Sequence, residues 1–313
     1  MLVDISGHII SSEDNVARNS LKAWILAARP KTLSGAAVPV MTGTAYAWHL
    51  SPSAIEWEAA LLCLLFAFLM QIDANFINDY YDCVRGRDNE ERLGPLRACQ
   101  QGWVSMKAMR IAIVVTSLLA ALVGLPLICY GGMELIAVGA MCILFCFLYT
   151  LCLAQVGMGD VLVLIFFGIV PTVFTTYVTV PADLQHYALM PWSLGIATGM
   201  VIDTLLLVNN YRDIDNDRST GKKTLVVLIG KTWTERLYMM ITPVALVIVL
   251  LEFGFTNQNI ILCFLVYFLH IGTWSQMCRI GKGKELNKVL GKTARNIFAY
   301  GILVTLLIIL SQN

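Results

Sequence analysis

The sequence predicts an all-α polytopic membrane protein, a bundle of about nine transmembrane helices with its N-terminus in the cytoplasm. Three observations carry that prediction. Hydrophobic residues make up 58% of the 313 residues and charged residues only 14%, against roughly 45–50% and about 25% in an ordinary soluble domain. Apolar stretches of the ~18 residues or more that a bilayer crossing needs recur along the whole chain. The Lys and Arg residues fall in alternate connections, as the positive-inside rule requires. A mean hydropathy of +0.71 is inconsistent with a disordered or collagen-like chain and argues against a soluble globular enzyme. A net charge of +1 offers no field for nucleic acid.

In chain order the apolar stretches cover roughly 24–48, 57–78, 108–130, 133–153, 160–180, 190–211, 237–254, 258–278 and 294–311. None shows the alternating pattern of barrel strands, and several carry Pro or Gly, as spanning helices do. Four groups hold all 22 Lys and Arg residues: 18–31, 85–110, 212–236 and 279–295. The intervening loops, near 49–56, 131, 181–189 and 255–257, contain none. An odd number of spans agrees with this, placing the N-terminus inside and the C-terminus outside. Residues 1–20 are polar and read as a short cytoplasmic arm, not as a signal peptide. The chain is expected to be one domain over 1–313. The nine Cys are scattered, mostly in apolar stretches, and read as small buried hydrophobes. The dispersed His residues do not suggest zinc. Gly195 and Gly199 give a small-xxx-small spacing, most simply a close helix contact.

Two connections stand out, about 79–106 and 212–235, both long, charged and on the same side. Each closes an apolar stretch with Asn-x-Tyr-x-Asp: Asn78-Asp79-Tyr80-Tyr81-Asp82, and 131 residues later Asn209-Asn210-Tyr211-Arg212-Asp213. Ile-Asp pairs precede both, at Asp73 and Asp203. The match reads as an internal repeat or as chance over five positions; a repeat would place one site between two halves. Asn78, Asp82 and Asp88 in the first segment, and Asn209, Asp213 and Asp217 in the second, lie near helical spacing. Carboxylates gathered there need a cation between them. Asp and Asn oxygens suit Mg²⁺, which commonly shares its shell with substrate phosphates. Arg97, Lys222 and Lys223 supply what a diphosphate would then need, although topology alone also explains basic residues at this side.

Other polar residues remain open to two readings. Asp73 and Asp203 lie deeper in their stretches and are either functional or inter-helix hydrogen bonders. Asp160 is either a functional acid or one favoured by a helix N-terminus. Arg29 and Lys31 flank Pro30 at a helix start and suit either the interface or an anionic aromatic ligand. Tyr149 is either an interfacial aromatic or a ring face for a developing carbocation.

At these residues the chain resembles the UbiA superfamily of intramembrane prenyltransferases. The resemblance runs through Asn78–Asp88 and Arg92-Leu93-Gly94-Pro95-Leu96-Arg97, through Asn209–Arg218 and Gly221-Lys222-Lys223-Thr224-Leu225, and through Ala28-Arg29-Pro30-Lys31-Thr32-Leu33. With the nine-span plan it covers nearly the whole chain. The Gly-Pro-Leu-Arg and Asn-Asn-x-Arg-Asp runs resemble the 1,4-dihydroxy-2-naphthoate polyprenyltransferases of menaquinone synthesis. One departure is that Asp88 follows Asp82 by six residues, where the family usually has four.

The resemblance implies a multi-pass enzyme of the cell inner membrane with Mg²⁺ held by Asn78, Asp82, Asp88, Asp213 and Asp217. It implies a polyprenyl diphosphate held by Arg97, Lys222 and Lys223, and an aromatic acceptor near Arg29, Lys31, Asn75, Asn209 and Tyr149. Asp82 and Asp213 would serve catalysis, with Asp160 positioning or deprotonating the acceptor hydroxyl. Allylic ionisation would release diphosphate, and the naphthoate ring would attack with loss of CO₂ to give demethylmenaquinone. Other readings are prenyl transfer to 4-hydroxybenzoate or homogentisate, and an ion-coupled transporter. The transporter reading fits less well, because most acids cluster at one membrane face beside basic loops.

Overall fold

Helices start where the sequence supplies a hydroxyl for their first free N–H groups. Ser20, Ser105, Thr224 and Thr256 each accept from the backbone N–H three residues on, at Ala23, Ala108, Val227 and Asn259. The computed structural model describes residues 16–86 and 93–311. Its helices are α1 (Leu21–Ala28), α2 (Leu33–Leu50), α3 (Trp57–Val84), α4 (Met106–Gly124), α5 (Ile128–Gly131), α6 (Glu134–Leu151), α7 (Gly159–Val163), α8 (Val170–Thr179), α9 (Trp192–Ser219), α10 (Leu225–Phe253), α11 (Asn257–Ile280) and α12 (Leu286–Leu310). A 3₁₀ turn joins α4 to α5, and a π-helical segment, Leu164–Ile169, joins α7 to α8. Asp88 and most of the N-terminal arm lie outside the described residues.

Among the described residues, eight helices or continuous helical runs are long and apolar enough to cross a membrane. The expected first span over 24–48 is instead two helices. Pro30 disfavours helical backbone at the residue before it, and Arg29 there takes a left-handed conformation, φ 52° and ψ 67°. Asn75 on α3 holds this corner: its Nδ2 donates to the Ala28 carbonyl at 2.9 Å and to Thr32 Oγ1 at 3.0 Å. The second helix, α2, is not among the eight. It packs inside the bundle against α3, α8 and α12, so it can carry Pro39, Thr42 and two glycines where a lipid-facing helix would need apolar side chains.

Burial ranks the helices by position. The most apolar window of α9 is 61% buried and that of α6 only 11%, so α9 is central and α6 peripheral. The two helices carrying the Asn-x-Tyr-x-Asp motifs, α3 and α9, are each 28 residues long, and each has its motif within its last three turns. The Gly195–Gly199 spacing is a seam between α9 and the π-helical segment. A Cβ added at Gly199 would stand 2.7 Å from the Leu164 carbonyl oxygen, at Gly195 2.9 Å from Ile169 Cα, and at Gly168 2.6 Å from the Gly195 carbonyl oxygen. Backbone meets backbone there, so no side chain can yield. Gly199→Ala is expected to destabilise the purified protein by about 1–3 kcal/mol through overpacking. Gly139→Ala on α6, where a Cβ meets nothing within 4 Å, is expected to be neutral or mildly stabilising; thermal unfolding in detergent compares the two.

Candidate active site

The first motif is built by a residue that the sequence reading passed over. Asp79 is buried, and its two carboxylate oxygens accept from the backbone N–H groups of Ala98 and Cys99, both at 2.9 Å. This fixes the turn after Gly94-Pro95-Leu96 against α3. Arg97 is thereby delivered to Asp82, its Nη2 donating to Oδ2 at 2.9 Å. Burial and the Asp79 charge together push the Cys99 thiol well above its ordinary range, which leaves it an inert packing group. Asn78 accepts from Thr150 Oγ1 at 2.7 Å. Arg85 donates to the Thr150 and Leu151 carbonyls at 2.9 and 2.8 Å, satisfying the free C-terminal carbonyls of α6 and favoured by its dipole.

In the second motif the residues divide between scaffold and cavity. Tyr211 donates to Glu235 on α10. Arg212, only 3% exposed, grips Asp213 through Nε and Nη2, Asn209 Oδ1 at 2.8 Å and Asn287 Oδ1 at 2.8 Å. Asn287 in turn donates to the Leu93 carbonyl at 2.8 Å. The start of α12 therefore ties the end of α9 to the loop that follows α3, a link no motif announced. Asn209, expected at the acceptor, is bonded to Arg212; its neighbour Asn210 lines a cavity instead. Asn75, expected there too, braces the Arg29 corner.

The cavity is bounded by Tyr149, Asp160, Leu206, Asn210, Lys222 and Thr224. Lys222 reaches it from the loop after α9, with Nζ 3.3 Å from both oxygens of Asp217. The Lys223 side chain is exposed, and its backbone N–H donates to the Gln155 carbonyl at 2.9 Å. Arg29 is partly buried at its corner and Lys31 is exposed. At the end of α6 the two halves meet: Thr150 is bonded to Asn78 of the first motif, and its neighbour Tyr149 lines the cavity with Asp160 and with Asn210 and Lys222 of the second segment.

Among the described residues no three Asp, Glu, His or Cys side chains converge into a preformed metal cage. The donor chemistry nonetheless fits a hard cation. Asp82, Asp213 and Asp217 each hold a cationic side chain at ion-pair distance, so each position carries a negative charge that needs neutralising, and only amide and carboxylate oxygens are on offer. The pairs differ in burial. Removing Arg212 leaves Asp213 and Asn287 facing an empty buried site, and Arg212→Ala is expected to cost about 3–5 kcal/mol. Lys222→Ala, which removes a longer contact made by a partly exposed lysine to the buried Asp217, is expected to cost less, about 1.5–3 kcal/mol. Melting of the two purified variants tests the contrast.

Known proteins resemble this chain in sequence and architecture. The model of the UbiA prenyltransferase family matches residues 36–305. The chain is 36% identical over 239 residues to 1,4-dihydroxy-2-naphthoate octaprenyltransferase of Escherichia coli strain K12, covering 72% of this chain and 73% of that protein. Among solved structures it resembles the apo UbiA homolog from Aeropyrum pernix K1, with TM-score 0.65 at 16% identity over 88% of this chain and 98% of the other. It also resembles the UbiA homolog from Archaeoglobus fulgidus bound to DMAPP and Mg²⁺, with TM-score 0.59 at 14% identity over 90% and 99%. The chain belongs to the UbiA prenyltransferase family and is a multi-pass membrane protein.

Proposed function

We propose that this UbiA-family chain transfers a polyprenyl group from polyprenyl diphosphate to 1,4-dihydroxy-2-naphthoate, in the cell inner membrane. The single observation that carries the reading is the meeting of the two motif segments at the end of α6, where Thr150 bonds Asn78 of the first and Tyr149 shares a small cavity with Asn210 and Lys222 of the second. The naphthoate acceptor is supported by the relative of that name at 36% identity. The charged ends of α3 and α9 face the cytoplasm in this reading, since every Lys and Arg lies in segments of that side.

The donor's diphosphate is held by Arg97 and Lys222, with Lys223 at the rim. Asn78, Asp82, Asp213 and Asp217 would hold Mg²⁺, with Asp88 as a further ligand of the first motif; the Archaeoglobus relative binds Mg²⁺ together with DMAPP. Bound Mg²⁺ supplies charge neutralisation to the departing diphosphate. Arg97 and Lys222 now paired with Asp82 and Asp217 turn to the phosphate oxygens, where a guanidinium suits bidentate contact. As the allylic C–O bond breaks, the cation forms near the Tyr149 ring, whose electron-rich face stabilises it. The surrounding apolar helices keep water from it. Arg29 and Lys31 orient the acceptor carboxylate, and Asp160 receives its hydroxyl.

The ring carbon bearing the carboxylate attacks the allylic carbon. The ring–carboxylate bond then breaks, CO₂ leaves, and its electron pair restores the aromatic ring. The product is the prenylated diol, the quinol form of demethylmenaquinone. Mass spectrometry of the products formed from dihydroxynaphthoate and a donor of known length is the test. The expected product has gained the prenyl group and lost CO₂; product only with 4-hydroxybenzoate or homogentisate would reassign the acceptor. Asp213→Asn is expected to lower turnover by about 100-fold or more while the protein still inserts, and chelation of divalent ions is expected to stop the reaction. Full activity after either change would refute the metal assignment.

A further inference from the structure

Asp203 belongs to neither motif. It lies on α9 ten residues before Asp213, about 15 Å deeper along the helix. It is 8% exposed, and its Oδ1 is buried with no hydrogen-bond partner among the described residues. Asp160, at the start of α7, has a buried Oδ1 in the same condition and lines the cavity. Buried carboxyl oxygens without donors are costly, so two of them near one cavity call for a ligand that donates.

The glycine seam brings the two together. The closest backbone approach between α9 and the segment after α7 joins Gly199 to Leu164. Gly199 is one turn before Asp203, and Leu164 is one turn after Asp160. Leu206, one turn beyond Asp203 on α9, lines the same cavity as Asp160 and Tyr149, and neither Oδ1 has a hydrogen-bond partner among the described residues. The charged and titratable groups that share the cavity wall with Asp160 are Tyr149 and Lys222.

We propose that Asp203 and Asp160 form a two-carboxyl site for a phenolic hydroxyl of the aromatic acceptor, with Asp160 at the cavity wall and Asp203 behind it. The inference rests on the aromatic prenyl transfer proposed above. In that reaction the C–C bond to the prenyl group forms and the ring–CO₂ bond breaks, so the ring loses no proton. The hydroxyl that activates the ring must yield its proton to a neighbour as the bond forms and regain it afterwards. Two carboxyls, each with one buried oxygen that has no hydrogen-bond partner among the described residues, can accept that proton and return it, with no net transfer and no other reactant. The same contact holds the ring against Tyr149.

The test compares full-length wild type, Asp203→Asn and Asp203→Glu in detergent, with dihydroxynaphthoate and with each of its two mono-O-methyl ethers. Wild type is expected to lose about 100-fold in kcat/KM on one of the ethers, and Asp203→Asn to lose about as much on the diol itself. In Asp203→Asn the same methylation should then cost little more, the KM for polyprenyl diphosphate should stay at the wild-type value, and Asp203→Glu should recover part of the rate. Unchanged kinetics in Asp203→Asn, equal losses in donor and acceptor KM, or undiminished discrimination against the ether would each overturn the proposal. If Asp203→Asn does not accumulate, Asp160→Asn with the same acceptors decides by the same outcomes. A wild type that prenylates no phenolic acceptor would overturn the functional reading itself, whereas an active wild type with an unaffected variant overturns only the carboxyl pair.

Discussion

Carboxylates at the rim of an apolar helical bundle repel one another and lose hydration, so they persist only where positive charge or N–H donors reach them. That constraint organises the motif end of this protein. Asp79 is answered by two backbone amides, Asp82 by Arg97, Asp213 by Arg212 and Asp217 by Lys222. The partners are of two kinds. Arg212 is buried and shared among Asp213, Asn209 and Asn287, which makes it part of the frame. Lys222 sits at the cavity on a longer pair and is placed to exchange a carboxylate for a phosphate oxygen.

The frame works because the ends of two helices far apart in sequence are held by ties outside the motifs. Asn287 bridges Arg212 to the Leu93 carbonyl, and Arg85 and Asn78 clasp the end of α6, which carries Tyr149. Deeper in the bundle the Gly168, Gly195 and Gly199 contact removes side chains from between α9 and its neighbour. A strain-tolerant π-helical segment at that contact is of the kind often found beside functional sites. Precision at the rim thus comes from the bundle, and the clasp on its end holds the otherwise peripheral α6 to that frame.

Much of this was legible in the sequence because membrane physics writes plainly. Hydropathy marked the long apolar helices, and the confinement of Lys and Arg marked the charged connections that follow α3 and α9. The repeated Asn-x-Tyr-x-Asp selected α3 and α9. What escaped was whatever depends on direction and on distant partners. Spacing put Asn209 and Asn210 side by side but could not say that Asn209 turns to Arg212 and Asn210 to the cavity. Asp79 and Asp82 look alike as motif acids, yet one pins a loop and the other meets Arg97. Asn75 is a brace because Pro30 forces a corner at Arg29, and the same corner splits the expected first span. Asn287 carries no local signal at all, since its role exists only after α12 packs.

The central claim is that one diphosphate is held jointly by the ends of α3 and α9. Calorimetric binding of a non-ionisable prenyl thiolodiphosphate with Mg²⁺, measured for wild type, Asp82→Asn, Asp217→Asn and the double variant, tests it most directly. Shared ligation predicts losses that fall short of additivity by a coupling of about 1 kcal/mol or more. Losses that add in full, or a variant of either motif that binds as wild type does, would contradict it.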